Sequence, residues 1–196
     1  MKILQNSFNQ YLNKNYFFEK KPNIAVAVSG GPDSMCLIHL LKNWINLNRG
    51  NLVALIIDHQ LRKESKEESH LIKNYLLKNK ISTKIIKINK KLVIKKSMKE
   101  ARENRYEKLI KYCNRKNIFH LFLAHHYDDN IETFLIRKLS GSNFQGLRGM
   151  QYKSINNSIQ ILRPLLFYTK KEILEFNLKN KIFYLNDPSN LNIKYT

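Results

Sequence analysis

Four short apolar runs, each continuous rather than alternating, constrain the fold of this chain more than any other feature. They are residues 23–28 (NIAVAV), 51–58 (NLVALIID), 83–88 (TKIIKI) and 118–124 (IFHLFLA). A strand that is apolar along its length must be covered on both faces, which is the habit of parallel sheets flanked by helices. The stretches between them place apolar residues three and four apart, so helices are expected over 1–18, 33–47, 64–79, 96–117, 127–139 and 169–180. In the helix over 127–139, Ile131, Phe134 and Leu135 form the expected core stripe. A fifth strand is expected at 158–162, after a turn containing Gly141, Gly146 and Gly149. The fold class is therefore α/β: a doubly wound, mainly parallel five-stranded sheet with helices on both faces. No linker or internal repeat divides the chain, so residues 1–196 read as one domain.

Composition narrows the function classes. An apolar fraction of 43% with 11% aromatics can fill a core, which argues against a disordered basic tail. The longest unbroken apolar stretch, 52–57, is far short of the roughly 18 residues needed to span a bilayer. No secretory pattern follows Met1, and the two cysteines, Cys36 and Cys113, cannot build a disulfide framework or a four-cysteine zinc site. A cytoplasmic protein is expected. The balance of 35 Lys+Arg against 15 Asp+Glu leaves a net charge of +20, which suits a polyanionic partner or a lysine-rich genome equally well.

The first run leads directly into Ser29-Gly30-Gly31-Pro32-Asp33-Ser34 and then a helix. Ligands of open α/β sheets bind outside the carboxyl ends of the strands, where this loop sits. Gly30 and Gly31 let backbone N–H groups approach an anion, the helix start adds its own N–H groups, and Ser29 and Ser34 add hydroxyls. A tight turn with an N-cap is the plainer alternative. Asp33 is the odd member, because a carboxylate beside a phosphate repels it unless a cation intervenes. Mg²⁺, which takes one or two carboxylates plus phosphate oxygens, is the expected cation. The loop lacks the Gly-Lys-Ser/Thr of a Walker loop and is not a G-x-G-x-x-G fingerprint.

The six residues resemble the SGGxDS loop of the PP-loop ATP pyrophosphatases, a family of adenine nucleotide α hydrolase-like fold that cleaves ATP between its α and β phosphates. Four more stretches resemble one branch, the tRNA(Ile)-lysidine synthases. Asp58-His59-Gln60-Leu61-Arg62 with Glu64-Ser65 is similar to DHGLR-x-ES, with Gln60 for Gly. Ala101-Arg102-Glu103-Asn104-Arg105-Tyr106 is similar to AREARY. Residues 124–133 (AHHYDDNIET) are similar to AHHxDDQxET, with Asn130 for Gln. Arg163-Pro164-Leu165-Leu166 and Asp187-Pro188-Ser189-Asn190 match RPLL and DPSN.

The resemblance implies an enzyme that uses ATP and Mg²⁺ to adenylylate the wobble cytidine of a CAU-anticodon tRNA(Ile), after which L-lysine displaces AMP to give lysidine. It implies catalytic roles for Asp33, Arg102, Arg105, Asp129 and Glu132. Nucleotide contacts fall to Ser29, Gly30, Gly31, Pro32, Asp33, Ser34, Asp58, His59 and His125, and Asp33 is the expected Mg²⁺ ligand. The chemistry of the residues is compatible with this. Asp129 and Glu132, three apart on one helix, form a carboxylate pair that could hold the amino group of lysine or a metal and accept protons. Arg102 and Arg105 could stabilise a transferring phosphoryl group or simply pair with Glu103 and Glu107. Adjacent His125 and His126 point in different directions and lack zinc-binding spacing, so one is expected to contact substrate or nucleotide. His59 and Arg62 could contact a base or ribose, or belong to a helix-capping loop. Relatives continue beyond the matched region into tRNA-binding domains, which are expected to be absent here. That leaves tRNA to the basic face of the core or to a second subunit, with a homodimer as one arrangement. The alternatives are a PP-loop ligase adenylating a small molecule, and a catalytically silent tRNA-binding remnant.

Overall fold

A computed structural model describes residues 5–58, 64–87, 98–143 and 146–185. Within them lie six strands: β1 Asn23–Val28, β2 Asn51–Asp58, β3 Ser82–Lys87, β4 His120–Phe122, β5 Lys153–Asn156 and β6 Ile159–Leu162. The helices are α1 Gln5–Asn15, α2 Pro32–Leu47, α3 Glu64–Lys78, α4 Met98–Arg115, α5 Tyr127–Leu139 and α6 Lys170–Lys179, with 3-10 turns at Gly146–Arg148 and Pro164–Phe167.

One sheet joins all six strands in the order β3-β2-β1-β4-β6-β5. Every pairing is parallel except that of β5 with β6. The chain therefore builds outward from β1 to β2 and β3, then returns to lay β4 on the other side of β1. That reversal opens a crevice between the carboxyl ends of β1 and β4.

The continuous apolar runs have a direct cause: alternate residues feed two cores. Ile24, Val26 and Val28 face the core shared with α1, α2 and α3, whereas Ala25 faces the one closed by α4. On β2, Ala54 and Ile56 take the first core and Leu55 the second. Trp44, Phe8 and Phe122 fill the first core, and its polar edge is satisfied by His120, whose Nε2 lies 2.6 Å from Glu19 Oε2.

Three expectations are corrected. The sheet has six strands rather than five, because 158–162 is the second half of a hairpin whose two-residue turn, Asn157 (φ 45°) and Ser158 (φ 65°), has the left-handed backbone that tight hairpins use. The fourth strand is three residues long, since the chain leaves the sheet after Phe122 to form the crevice. The stripe Ile131, Phe134 and Leu135 is not core: these residues are 41%, 39% and 50% exposed. Helix α5 projects from the carboxyl edge and packs mainly on the two 3-10 turns, so no sheet covers its apolar side.

Candidate active site

The loop after β1 is held by its own serines. Ser34 Oγ accepts from the N–H groups of Ser29 and Gly30, both at 3.2 Å, and donates to the Gly31 carbonyl at 3.0 Å. Gly31 is the N-cap of α2 and Pro32 opens it, a position where the missing N–H of proline has no cost. Gly30 sits at φ +93°, and a Cβ there would lie 2.9 Å from Ile72 and 3.2 Å from Leu185. Its glycine identity is set by backbone angle and close packing together. At Gly31 a Cβ would meet only Ser29 Oγ, at 3.6 Å.

Three later residues tie this loop to α6 and the segment after it. Leu185 donates its N–H to the Gly30 carbonyl at 2.9 Å, buried Asn177 donates to the Pro32 carbonyl at 2.8 Å, and Lys170 Nζ contacts both carboxylate oxygens of Asp33 at 2.6 and 2.7 Å. The backbone N–H of Lys170 is held in turn by Asp128, at 2.7 Å.

Across the crevice, buried His126 is the N-cap of α5. Its Nδ1 accepts from the Asp129 N–H at 3.4 Å, and the Asp129 carboxylate accepts from the His126 N–H at 2.9 Å, a capping box with histidine in the usual hydroxyl position. The ring nitrogens of His126 lie 3.7 Å from Asp33, 3.5 Å from Asp128 and 3.5 Å from Asp129. This histidine thus joins the loop of β1 to the loop of β4.

Between the two loops is a cavity of about 410 Å³. Ser29, Asp33, Ser34, His125, Asp129 and Arg105 contribute its polar groups, and Leu55, Ile57, Leu109 and Leu123 its apolar floor. Burial, reinforced by the charges of Arg163, Arg102 and Arg105, pushes the His125 imidazole down to about 3. It is neutral at physiological pH and can only exchange hydrogen bonds there. Burial also lowers the Arg105 guanidinium, which stays charged and lies 6.0 Å above the Tyr106 ring. A larger hollow of about 860 Å³ lies along α4 and shares Tyr106 with this cavity, but no residue of the Gly-rich loop lines it.

The expected site residues therefore separate. Ser29, Asp33, Ser34, Arg105, His125 and Asp129 share the cavity, with Gly30, Gly31 and Pro32 forming the turn behind it. Arg102 faces the larger hollow, and Glu132 is exposed on α5 outside the cavity lining. Asp58 is buried beneath the edge, accepting from Ser65 at 3.2 Å. His59, Gln60, Arg62 and the 187–190 stretch lie outside the described residues. Not anticipated are the capping role of His126, the approach of Lys170, and the α3 side chains Ser65, Glu68 and Ser69 that line the cavity. The first could have been suspected from its spacing of three before Asp129.

As a metal site the arrangement is sparse. Among the described residues no group of three or more His, Cys, Asp or Glu is placed to hold an ion. One carboxylate beside the N–H groups and hydroxyls of a Gly-rich loop is nevertheless what Mg²⁺ uses when phosphate oxygens complete its shell, so the residues fit a nucleotide-borne cation rather than a protein cage.

The family profile described as a PP-loop domain matches residues 1–196. The chain belongs to the PP-loop domain family. Among curated relatives, the tRNA(Ile)-lysidine synthase of Wolbachia pipientis wMel is 38% identical over 190 residues, 96% of this chain and 44% of that protein. The tRNA(Ile)-lysidine synthase of Orientia tsutsugamushi (strain Boryong) is 36% identical over 178 residues, 91% and 40% respectively. The PP-loop chain thus spans less than half the length of the curated relatives it matches. Of solved structures, the U34-tRNA thiolase NcsA from Methanococcus maripaludis with its [4Fe-4S] cluster superposes with a TM-score of 0.77 at 15% identity, covering 93% of this chain and 66% of that one. The NH3-dependent NAD synthetase of Campylobacter jejuni gives 0.54 at 17%, covering 98% and 75%. At such identities these two establish the fold alone. No helix among the described residues is long and apolar enough to cross a membrane.

Proposed function

We propose that this PP-loop domain carries out ATP-dependent ligation of L-lysine to C2 of the wobble cytidine in a CAU-anticodon tRNA(Ile), with the +20 surface attracting the tRNA. The carrying observation is the 29–34 loop at the sheet's reversal point, sharing one cavity with Arg105, His125 and Asp129. Similarity to the lysidine synthases across nearly the whole chain supports the choice of substrate.

In this reading the loop takes the pyrophosphate of ATP and the apolar floor takes the base. The cytidine O2 attacks the α-phosphorus and pyrophosphate leaves. Arg105, poised on α4 in the same cavity, stabilises the charge that develops on the α-phosphate. Asp33 is the residue that would hold Mg²⁺, which would supply positive charge to favour departure of pyrophosphate. The lysine ε-amine then attacks C2, AMP departs with the O2 oxygen, and the amine gives up its proton to solvent. Asp129 has one oxygen committed to the His126 N–H and its other turned toward the His126 ring, so it acts best as an anchor for an ammonium group, aided by Glu132 at the rim. His125, already neutral, orients substrate by hydrogen bonding rather than donating as an imidazolium.

Incubation with ATP, Mg²⁺, labelled lysine and unmodified tRNA(Ile) should yield AMP and labelled tRNA, both lost in Asp33→Ala. ATP turnover without tRNA would instead favour a small-molecule ligase. Salt-sensitive tRNA binding without AMP or label, unchanged by Asp33→Ala, would make the chain a silent tRNA binder.

A further inference from the structure

The loop poses an electrostatic problem. Asp33 places a carboxylate in the first turn of α2, beside the N–H groups and hydroxyls that make the loop attractive to an anion. The molecule supplies its own answer: the Lys170 ammonium, delivered by the first turn of α6, grips both oxygens of that carboxylate. Its position is fixed independently of the pair, since Asp128 holds the Lys170 N–H and Asn177 anchors the same helix to Pro32. As a staple between α2 and α6 the ion pair duplicates the Asn177 bond, which ties the same two helices without it. An ammonium carries three protons. Two go to Asp33, and among the described residues no side chain accepts the third.

We propose that Lys170 is a phosphate-binding residue of this site, stored on Asp33 in the free protein and transferred to the β- and γ-phosphate oxygens when nucleotide arrives and a divalent cation takes the Asp33 carboxylate. The exchange conserves charge pairing. Asp33 trades one cation for another, and Lys170 trades a carboxylate for a phosphate. The proposal rests on the nucleotide reading of the loop and adds a basic group that neither the loop motif nor its neighbours in sequence contain.

The test is calorimetric, with ATP, inorganic pyrophosphate and AMP titrated in the presence of Mg²⁺ into wild type, Lys170→Met, Lys170→Gln and Lys170→Arg. Losing a charge-assisted bond should weaken ATP and pyrophosphate by at least about tenfold in the Met and Gln variants. AMP, which lacks the β and γ groups, should change by less than about twofold, and Arg should retain most of the ATP affinity. Thermal melting close to wild type is expected, since Lys170 lies at the surface end of α6. Unchanged ATP and pyrophosphate affinity in folded Lys170→Met, or an equal loss for AMP, overturns the assignment. A wild-type protein that binds neither ATP nor AMP overturns the nucleotide reading itself, and with it this proposal.

Discussion

Acid should destabilise this domain well before its carboxylates protonate, through two partly buried histidines, His39 and His125. Burial pushes His39 down to about 4, against an ordinary value near 6.5, and its Nε2 lies 3.2 Å from the Tyr75 hydroxyl. His125 is pushed down to about 3 by burial and the surrounding arginines. Both are neutral when folded and free to protonate when unfolded, so the unfolded chain binds more protons at every pH between 6.5 and about 4. The stabilisation they represent is complete above the unfolded value and is lost as pH falls through it. From pH 7 to pH 5 each histidine should remove about 2 kcal/mol, and the two together about 4 kcal/mol, a large share of an ordinary domain's stability. Urea unfolding at pH 7, 6 and 5 measures this directly. In His39→Gln and in His125→Gln the loss between pH 7 and pH 5 should each shrink by about half, whatever the variant does to stability at pH 7. A pH dependence identical in wild type and both variants would refute the burial argument.

Two other substitutions separate neighbouring residues of similar appearance. Gly30→Ala combines a positive φ with a Cβ driven into Ile72 and Leu185, and should cost about 2–4 kcal/mol of unfolding free energy, whereas Gly31→Ala should cost less than about 1 kcal/mol by the same denaturation assay. Asn130 accepts from the Met150 N–H at 2.6 Å, pinning the chain just beyond the 3-10 turn Gly146–Arg148, so Asn130→Ala should lower stability by about 1–2 kcal/mol and open residues 146–150 to limited proteolysis.

Legibility followed the range of the forces involved. Strands β1 and β2 and the loop after β1 were readable because their signals are local: an unbroken apolar run, two glycines, a proline at a helix start. Strand β5 was not, since an edge strand of Lys153, Ser154, Ile155 and Asn156 needs no apolar face to pair with β6, and Ile155 is 70% exposed. Helix α5 shows the limit of periodicity. Ile131, Phe134 and Leu135 recur at the right spacing, but spacing cannot say whether a sheet lies beneath. At the site, Asp33 pointed to a cation, expected as Mg²⁺, and the cation the fold itself places on it is the Lys170 ammonium, 137 residues later. The split between Arg102 and Arg105 likewise depends on how α4 is rotated against the sheet, which two arginines three residues apart do not reveal.

The clasp on the 29–34 loop also sets an order of events during synthesis. The loop and β1 leave the ribosome early, but their partners Lys170, Asn177 and Leu185 are 137 residues or more behind them. At common translation rates that is a delay on the order of ten seconds. Through it the loop has its serine bonds but not the cation on Asp33, the anchor at Pro32 or the strap at Gly30. A nascent chain of this protein thus carries the 29–34 loop long before the contacts that complete it, and those arrive late, as a closing contact between distant parts of the chain.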